Sequence, residues 1–370
     1  SCHSGARKAL VYDLGGGTFD VSVVNLESDV VEVLASHGNN HLGGDDFDQK
    51  LITFAIDHLK AQHDIDIRPH AQAMARLQHA AEAAKITLSD EPYATLAEEY
   101  LFEKDGVPIH LSVEISRDDY EEMIEPYVAE TLEAVHVALS GAGLTVADIN
   151  EILLVGGATR TPLVQRRLES ELGMQPRAEV DPELCVAMGA AIQAAVIAGG
   201  QAPTVLVDVT PYTFGTSALE YFNGDMYPYC YVPLIRKNTP IPVSKSEGFC
   251  TVFDGQRQVD INVYQGEDPD ALNNIQIGRF TIEGLRDAPA GNPLITTFSL
   301  DHNGILQVTS REKNTGLVHS ITIDNAISRF TGDKLGEARH RIDALFRDQD
   351  GEEGRPGASV GAAPVDDSRR

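Results

Sequence analysis

Tryptophan is absent from the sequence and aromatic residues make up only 6% of it, yet 42% apolar content is that of a globular chain. At 370 residues there is room for two or three domains with cores of their own. Bases are scarce: 29 Lys and Arg face 56 Asp and Glu, a net charge of −27. Such a surface repels nucleic acid and anionic membranes, which argues against both as partners. Cysteine is sparse too. Cys2, Cys185, Cys230 and Cys250 are widely scattered and form no C-x-x-C pair, which argues against a zinc ribbon and for reduced thiols in a cytoplasmic protein. The 12 histidines include no H-E-x-x-H spacing; His37 and His41, four apart, read as surface residues of a loop, and no metal site is expected from them. Residues 184–200 carry no charge and imitate a membrane span. However, Asp181-Pro182 before them and Gly199-Gly200 at their end describe the start and stop of a soluble helix, expected to be tightly packed inside the protein. The sequence starts at Ser1 with no Met and reads as a fragment or processed piece, so a signal peptide would not be visible in it.

What is present centres on residues 10–24, LVYDLGGGTFDVSVV. Two apolar, β-branched runs flank Asp13-Leu14-Gly15-Gly16-Gly17-Thr18, the pattern of two strands joined by a glycine loop. Successive glycines leave backbone N–H groups uncovered, a way to wrap phosphate oxygens. Thr18 adds a hydroxyl, and Asp13 and Asp20 place a carboxylate on either side. Carboxylates beside polyphosphate imply a divalent metal or an attacking water between them. The same residues fit an ordinary hairpin with flexible glycines, and the rest of the chain has to decide.

Downstream, a strand over 30–34 leads into a second Gly-Gly pair, Gly43-Gly44, and a helix over 46–62. A second helix over 69–90 is opened by proline; Glu82, Lys85 and Ser89 share one stripe on it, which could be no more than a solvated ion pair. After an alternating strand at 107–114, Ser116 and Asp119 resemble a capping box before a helix over 120–139, with a break or kink expected at Pro126. The apolar strand 151–155 runs into Gly156-Gly157-Ala158-Thr159-Arg160 and a helix over 163–172. Strand, glycine turn and helix N-terminus in that order make an anion and nucleotide seat. Neither a P-loop nor a dinucleotide fingerprint occurs. From 211 to 330 the signals are short strands punctuated by turns such as Asn223-Gly224 and Asn303-Gly304, the spacing of a β-sandwich. A helix over 333–347 and a Gly/Ala/Pro-rich, disordered tail over 351–370 complete the chain.

In order, YDLGGGTFDVSVV, HLGGDDFD, AEAAKITLS, EILLVGGATRTPLVQ, DPELCVAMGAAIQAA, VLVDVTPYTFG, RKNTPIPVSKS and VYQGE resemble the 70-kDa heat-shock protein family, the DnaK-type molecular chaperones. The resemblance covers about residues 9–346. It implies an α/β actin-like (ribonuclease H-like) ATPase lobe followed by an antiparallel β-sandwich that binds peptides. The implied boundaries are 1–203 for the later part of the nucleotide-binding domain, 204–210 for the linker, 211–330 for the sandwich, 331–350 for the start of a helical lid and 351–370 for the tail. By the same resemblance Gly15, Gly16, Gly17 and Thr18 would wrap the β- and γ-phosphates of ATP or ADP, and Asp13, with Asp20 as partner carboxylate, would organise Mg2+ and water. Gly43 and Gly44 would approach phosphates or ribose. Glu82, Lys85 and Ser89 would hold ribose and adenine, while Gly156, Gly157 and Arg160 would close over the adenosine. Glu183 stands where the family usually has Asp. Leu219, Phe249, Val252, Val259 and Ile261 match positions lining a channel for an extended apolar peptide, although each also fits plain sandwich core. The implied partners are unfolded polypeptides, a J-domain co-chaperone and a nucleotide exchange factor.

The family's first actin-like lobe, with its own phosphate loop and catalytic lysine, has no match here. This polypeptide alone is therefore expected to hydrolyse ATP poorly or not at all, although the intact protein would be an ATPase, since phosphoryl transfer needs groups converging from both sides. The loop 221–233 is longer than in familiar members, and the lid is reduced to one helix, which would make peptide exchange fast. Two readings stand: an ATP-dependent folding chaperone, or a truncated, ATP-independent peptide-holding module. A sugar kinase or a filament-forming actin relative would lack the sandwich.

Overall fold

The computed structural model describes residues 6–178, 180–200, 204–222, 224–324 and 326. The predicted helix at 333–347, the tail and Cys2 lie outside them. Apolar residues recur along three segments between residues 7 and 39 and build an antiparallel meander: β1 (Arg7–Leu14), β2 (Phe19–Glu27) and β3 (Val30–Asn39). The β1–β2 ladder runs to Leu14↔Phe19, so the loop is Gly15 to Thr18, closed by Gly15 N–H donating to the Thr18 carbonyl at 3.0 Å. Strand β3 continues to Asn39 opposite Phe19, so His37 lies in a strand and not in the expected loop. Gly38 permits this close pairing, because a Cβ there would meet the Phe19 carbonyl oxygen at 2.3 Å.

Helices α1 (Gly44–His63) and α2 (Ala71–Asp90) follow, then a hairpin of β4 (Tyr93–Lys104) and β5 (Val107–Ser116), then α3 (Arg117–Gly141). Ser116 caps α3 by accepting the Asp119 N–H at 3.1 Å, as the sequence pattern indicates. Pro126 lies inside a helix that is assigned without interruption, so the expected break does not occur there. Strand β6 (Glu151–Val155) pairs parallel with β1, and β7 (Val205–Val207) pairs parallel with β3, giving the order β6-β1-β2-β3-β7. The core of this part joins Tyr12, Phe19, Phe47, Leu51, Leu77, Ile124 and Val164. Tyr12 ties sheet to helix by donating to Thr131 Oγ1 of α3 at 2.6 Å.

After α4 (Pro162–Leu172) comes α5 (Cys185–Ile197), where the structure corrects the sequence reading. An alanine-rich helix without a polar stripe reads as internal, yet none of its residues is buried. Its composition asks for cover on every side. The described residues do not supply it, and Val186, Met188, Ile192 and Ile197 face outward.

The remaining strands form two four-stranded antiparallel sheets. One has the order β12-β11-β8-β9, built from β8 (Phe214–Phe222), β9 (Asp225–Ile235), β11 (Gln258–Gln265) and β12 (Ile275–Glu283). The other has the order β10-β13-β14-β15, from β10 (Val243–Cys250), β13 (Pro293–Leu300), β14 (Leu306–Glu312) and β15 (Val318–Ile323). Both contribute to one buried cluster that includes Phe214, Ile261, Val263, Ile282, Phe298 and Val308. The segment expected as a long loop at 221–233 is the top of the β8–β9 hairpin, paired up to Phe222↔Asp225.

Candidate functional site

Parallel pairing of β1 and β6 brings the β1–β2 loop and the turn after Val155 to the same end of the sheet. Ligand sites of open α/β sheets form at that end, beyond the strand C-termini. Three glycine segments meet there. Gly44 N–H donates to the Gly15 carbonyl at 2.9 Å and Asp45 N–H to the Gly16 carbonyl at 2.7 Å, clamping the loop onto the start of α1. From the other side Gly156, at φ +87°, passes so close that a Cβ would lie 2.2 Å from the Leu14 carbonyl oxygen. Only glycine satisfies both demands.

Over these segments opens a cavity of about 710 Å³. It is lined by Gly15, Gly16, Gly44, Glu82, Lys85, Ser89, Gly157, Arg160 and Glu183 among the residues singled out from the sequence. The α2 stripe and both glycine turns thus share one space. Gly17, Gly43 and Gly156 adjoin lining residues in the chain without lining the cavity themselves, and Thr18, two residues beyond Gly16, does not line it either. Asp13 and Asp20 face one another across the hairpin, one pair behind the loop. Burial, and then the Asp20 charge, hold the Asp13 carboxyl above its ordinary range. A cation beside the pair would relieve that repulsion.

Sequence reasoning missed Asp45, Ile86, Asp90, Thr161, Pro162 and Gln165 of the lining. Ile86 was within reach, being exposed on α2 one residue from Lys85. The ion pair that Lys85 makes is with Asp48 of α1, Nζ to Oδ2 at 2.8 Å. Arg160 bridges Asp181 at 2.8 Å and Glu183 at 3.2 Å. Both bridges are half-exposed and contribute little to stability, but they hold the guanidinium over the cavity edge. Among the described residues no group of three or more His, Cys, Asp or Glu could hold a metal alone. One or two carboxylates plus ligand phosphates is the arrangement magnesium favours, so the Asp13–Asp20 pair fits it.

The five residues expected to line a peptide channel divide. Ile261 is 5% exposed and belongs to the core, and Val259 packs against that core. Leu219, where the β8–β9 register shifts, is 38% exposed, Val252 is 52% exposed, and Phe249 is half-buried at the end of β10. Tyr221, Met226 and Phe253 add exposed apolar surface nearby in the chain. A separate cavity of about 550 Å³, lined by Pro242, Leu300, Ile305 and Thr322 among others, includes none of the five. No helix among the described residues is long and apolar enough to cross a membrane.

A family model described as Hsp70 protein matches residues 3–347. The chaperone protein DnaK of Thermotoga neapolitana is 45% identical over 323 residues, 86% of this chain and 53% of the relative. That of Thermosipho africanus is 43% identical over 322 residues, 86% of this chain and 52% of the relative. The chain thus spans about half the length of the curated relatives it matches.

Proposed function

Because the chain belongs to the Hsp70 protein family, we propose that it is the nucleotide- and peptide-binding part of an ATP-dependent chaperone for exposed apolar segments of unfolded proteins. In this reading the five-stranded sheet with its helices is an actin-like lobe ending near residue 203, residues 204–210 are a linker, and the two four-stranded sheets are the peptide-binding sandwich. One observation carries it: the glycine segments around Gly15, Gly44 and Gly157 converge with Glu82, Lys85 and Ser89 on a single cavity. Glycine-bared N–H groups suit phosphates, and the α2 stripe suits a nucleoside. ATP or ADP would be held there, with Mg2+ beside Asp13 and Asp20; bound nucleotide supplies the phosphoryl chemistry. Leu219, Phe249 and Val252 offer apolar surface for an extended peptide gripped through its backbone. A J-domain co-chaperone and a nucleotide exchange factor are the family partners this reading implies.

The test is release of a fluorescent apolar heptapeptide from the protein in the presence and absence of Mg-ATP. Faster release with nucleotide supports ATP-dependent chaperone action. Peptide binding indifferent to nucleotide supports the ATP-independent holding module instead.

A further inference from the structure

Strand β8 pairs with β11 over residues 214–216 and with β9 as far as Phe222↔Asp225. Residues 217–222 and 225–230 therefore form a two-stranded arm beyond the β8–β11 pairing. A two-stranded ribbon is marginal alone in water, so side chains have to hold it. One face of the arm does so. The Tyr227 ring packs between Phe222 and Tyr229, with ring centres 5.6 and 5.7 Å away. Its hydroxyl donates to the Asp270 carboxylate, 3.1 Å from each oxygen. Close by, the Tyr231 N–H donates to the Pro269 carbonyl at 2.9 Å, and Cys230 bridges to Asp270.

Residues opposite one another share a face of a hairpin, and neighbours along a strand alternate. The pairs Glu220↔Tyr227 and Phe222↔Asp225 thus put both charged residues of the arm on the anchored face. The other face carries Leu219 and Tyr221, with Met226 directly opposite Tyr221. Tyr221 is 78% exposed and Met226 51%. A hairpin that needed only to stay in solution would be sorted the other way. This one is fixed from behind and turns an uncharged ring and a thioether to the solvent.

Leu219 is also one of the residues proposed above to meet an extended peptide, so the open face continues that surface. Along the strand, Leu219 and Tyr221 are two residues or about 7 Å apart, the repeat of alternate side chains in an extended peptide. An aromatic ring laid on Tyr221 gains a ring–ring contact, and the Met226 sulfur adds a favourable contact at the ring edge. A saturated side chain of the same size gains buried area alone. Because the arm is already held in place, little ordering cost offsets that gain. We propose that the β8–β9 arm is a second peptide subsite, which takes an aromatic side chain two positions from the apolar residue held at Leu219. The segments this protein prefers are then apolar ones with Phe, Tyr or Trp at that spacing. The proposal rests on the peptide-binding reading above and deepens it.

The experiment is fluorescence-anisotropy titration of the full chain with labelled heptapeptides. Each has a central leucine and, two positions before or after it, either Phe or cyclohexylalanine, which fills similar space without a π-system. Wild type is expected to bind the Phe peptide about five-fold more tightly than its saturated counterpart at one of the two placements. The Tyr221→Ser, Met226→Ser double variant should bring that ratio close to one, whereas Tyr221→Phe should keep it. The wild-type ratio needs no variant, and a misfolded variant would lose both peptides without changing their order. A ratio near one in wild type at both placements, or an undiminished ratio in the double variant, overturns the proposal alone. If the undiminished ratio comes with loss of a dimer in sedimentation velocity, the face belongs to a second copy of the chain instead. Wild-type protein that binds none of the peptides overturns the peptide-binding reading with it.

Discussion

Replacing Gly43 by alanine tests the glycine clamp on the β1–β2 loop. Gly43 is extended, at φ −173°, so the backbone tolerates a side chain and only space is at issue. The new Cβ would sit 2.3 Å from the Gly16 carbonyl oxygen and 2.5 Å from its carbon. Ordinary contact is nearer 3.4 Å, so the loop and the start of α1 must part by about 1 Å. That opening stretches the bonds from Gly44 N to the Gly15 oxygen, 2.9 Å, and from Asp45 N to the Gly16 oxygen, 2.7 Å. At about 1 kcal/mol each, the loss is about 2 kcal/mol. Because Gly15, Gly16 and Gly44 all line the cavity, most of it should appear as weaker ADP binding, about 30-fold. The assay is calorimetric titration with Mg-ADP beside urea unfolding. Gly173→Ala is the contrast: at φ +65° in open space it should cost about 1 kcal/mol of stability and leave ADP binding intact. A Gly43→Ala protein that binds ADP like wild type would refute the steric argument.

Other expectations follow from single groups. Buried Glu312 accepts from Asn292 Nδ2 at 2.5 Å and from the Arg286 N–H at 3.0 Å, and takes the Thr315 hydroxyl on its other oxygen. Burial is the largest influence and acts to raise its carboxyl, but these bonds together outweigh it and hold the folded-state pKa below the ordinary value. The stabilisation is therefore present above the unfolded carboxylate pKa and lost as pH falls through the folded one. Glu312→Gln should lower stability at pH 7 by about 1–3 kcal/mol and flatten the acid limb of a urea-midpoint profile. Tyr12→Phe removes the buried bond to Thr131 and should cost about 1 kcal/mol in the same assay. Leu219→Asp and Val252→Asp, at exposed positions, should leave the urea midpoint nearly unchanged but abolish heptapeptide binding, whereas buried Ile261→Asp should unfold the sheets.

Short-range chemistry carried much of the structure into view from the sequence. The glycine loop between β1 and β2, the turn after β6 and the Ser116 cap all depend on residues adjacent in the chain. What stayed hidden depends on residues far apart. The Glu82–Lys85 spacing suggested a local pair, but the ammonium is taken by Asp48 from another helix. Strand β4, with its register shift between Glu98 and Phe102, lacks the clean alternation that marks its partner β5. Resemblance to the family marks residues 221–233 as a long loop, and proline and clustered aromatics blur any strand pattern there, yet they extend the β8–β9 hairpin. Helix α5 shows the opposite limit: composition announces that a helix wants burial, not what will bury it. Of the five peptide-channel positions, the pattern could not separate Ile261, which is core, from Val252, which is exposed, since both are apolar residues in short strand-like runs.

In the proposed reading the three glycine segments and the α2 stripe form one nucleotide seat. Amide NMR of the 370-residue chain titrated with Mg-ADP tests it most directly. Saturable shifts are expected to concentrate at Gly15, Gly16, Gly44, Lys85 and Gly157, all of which line the cavity. Saturable shifts confined to the β8–β15 sheets, or none at millimolar ADP, would contradict it.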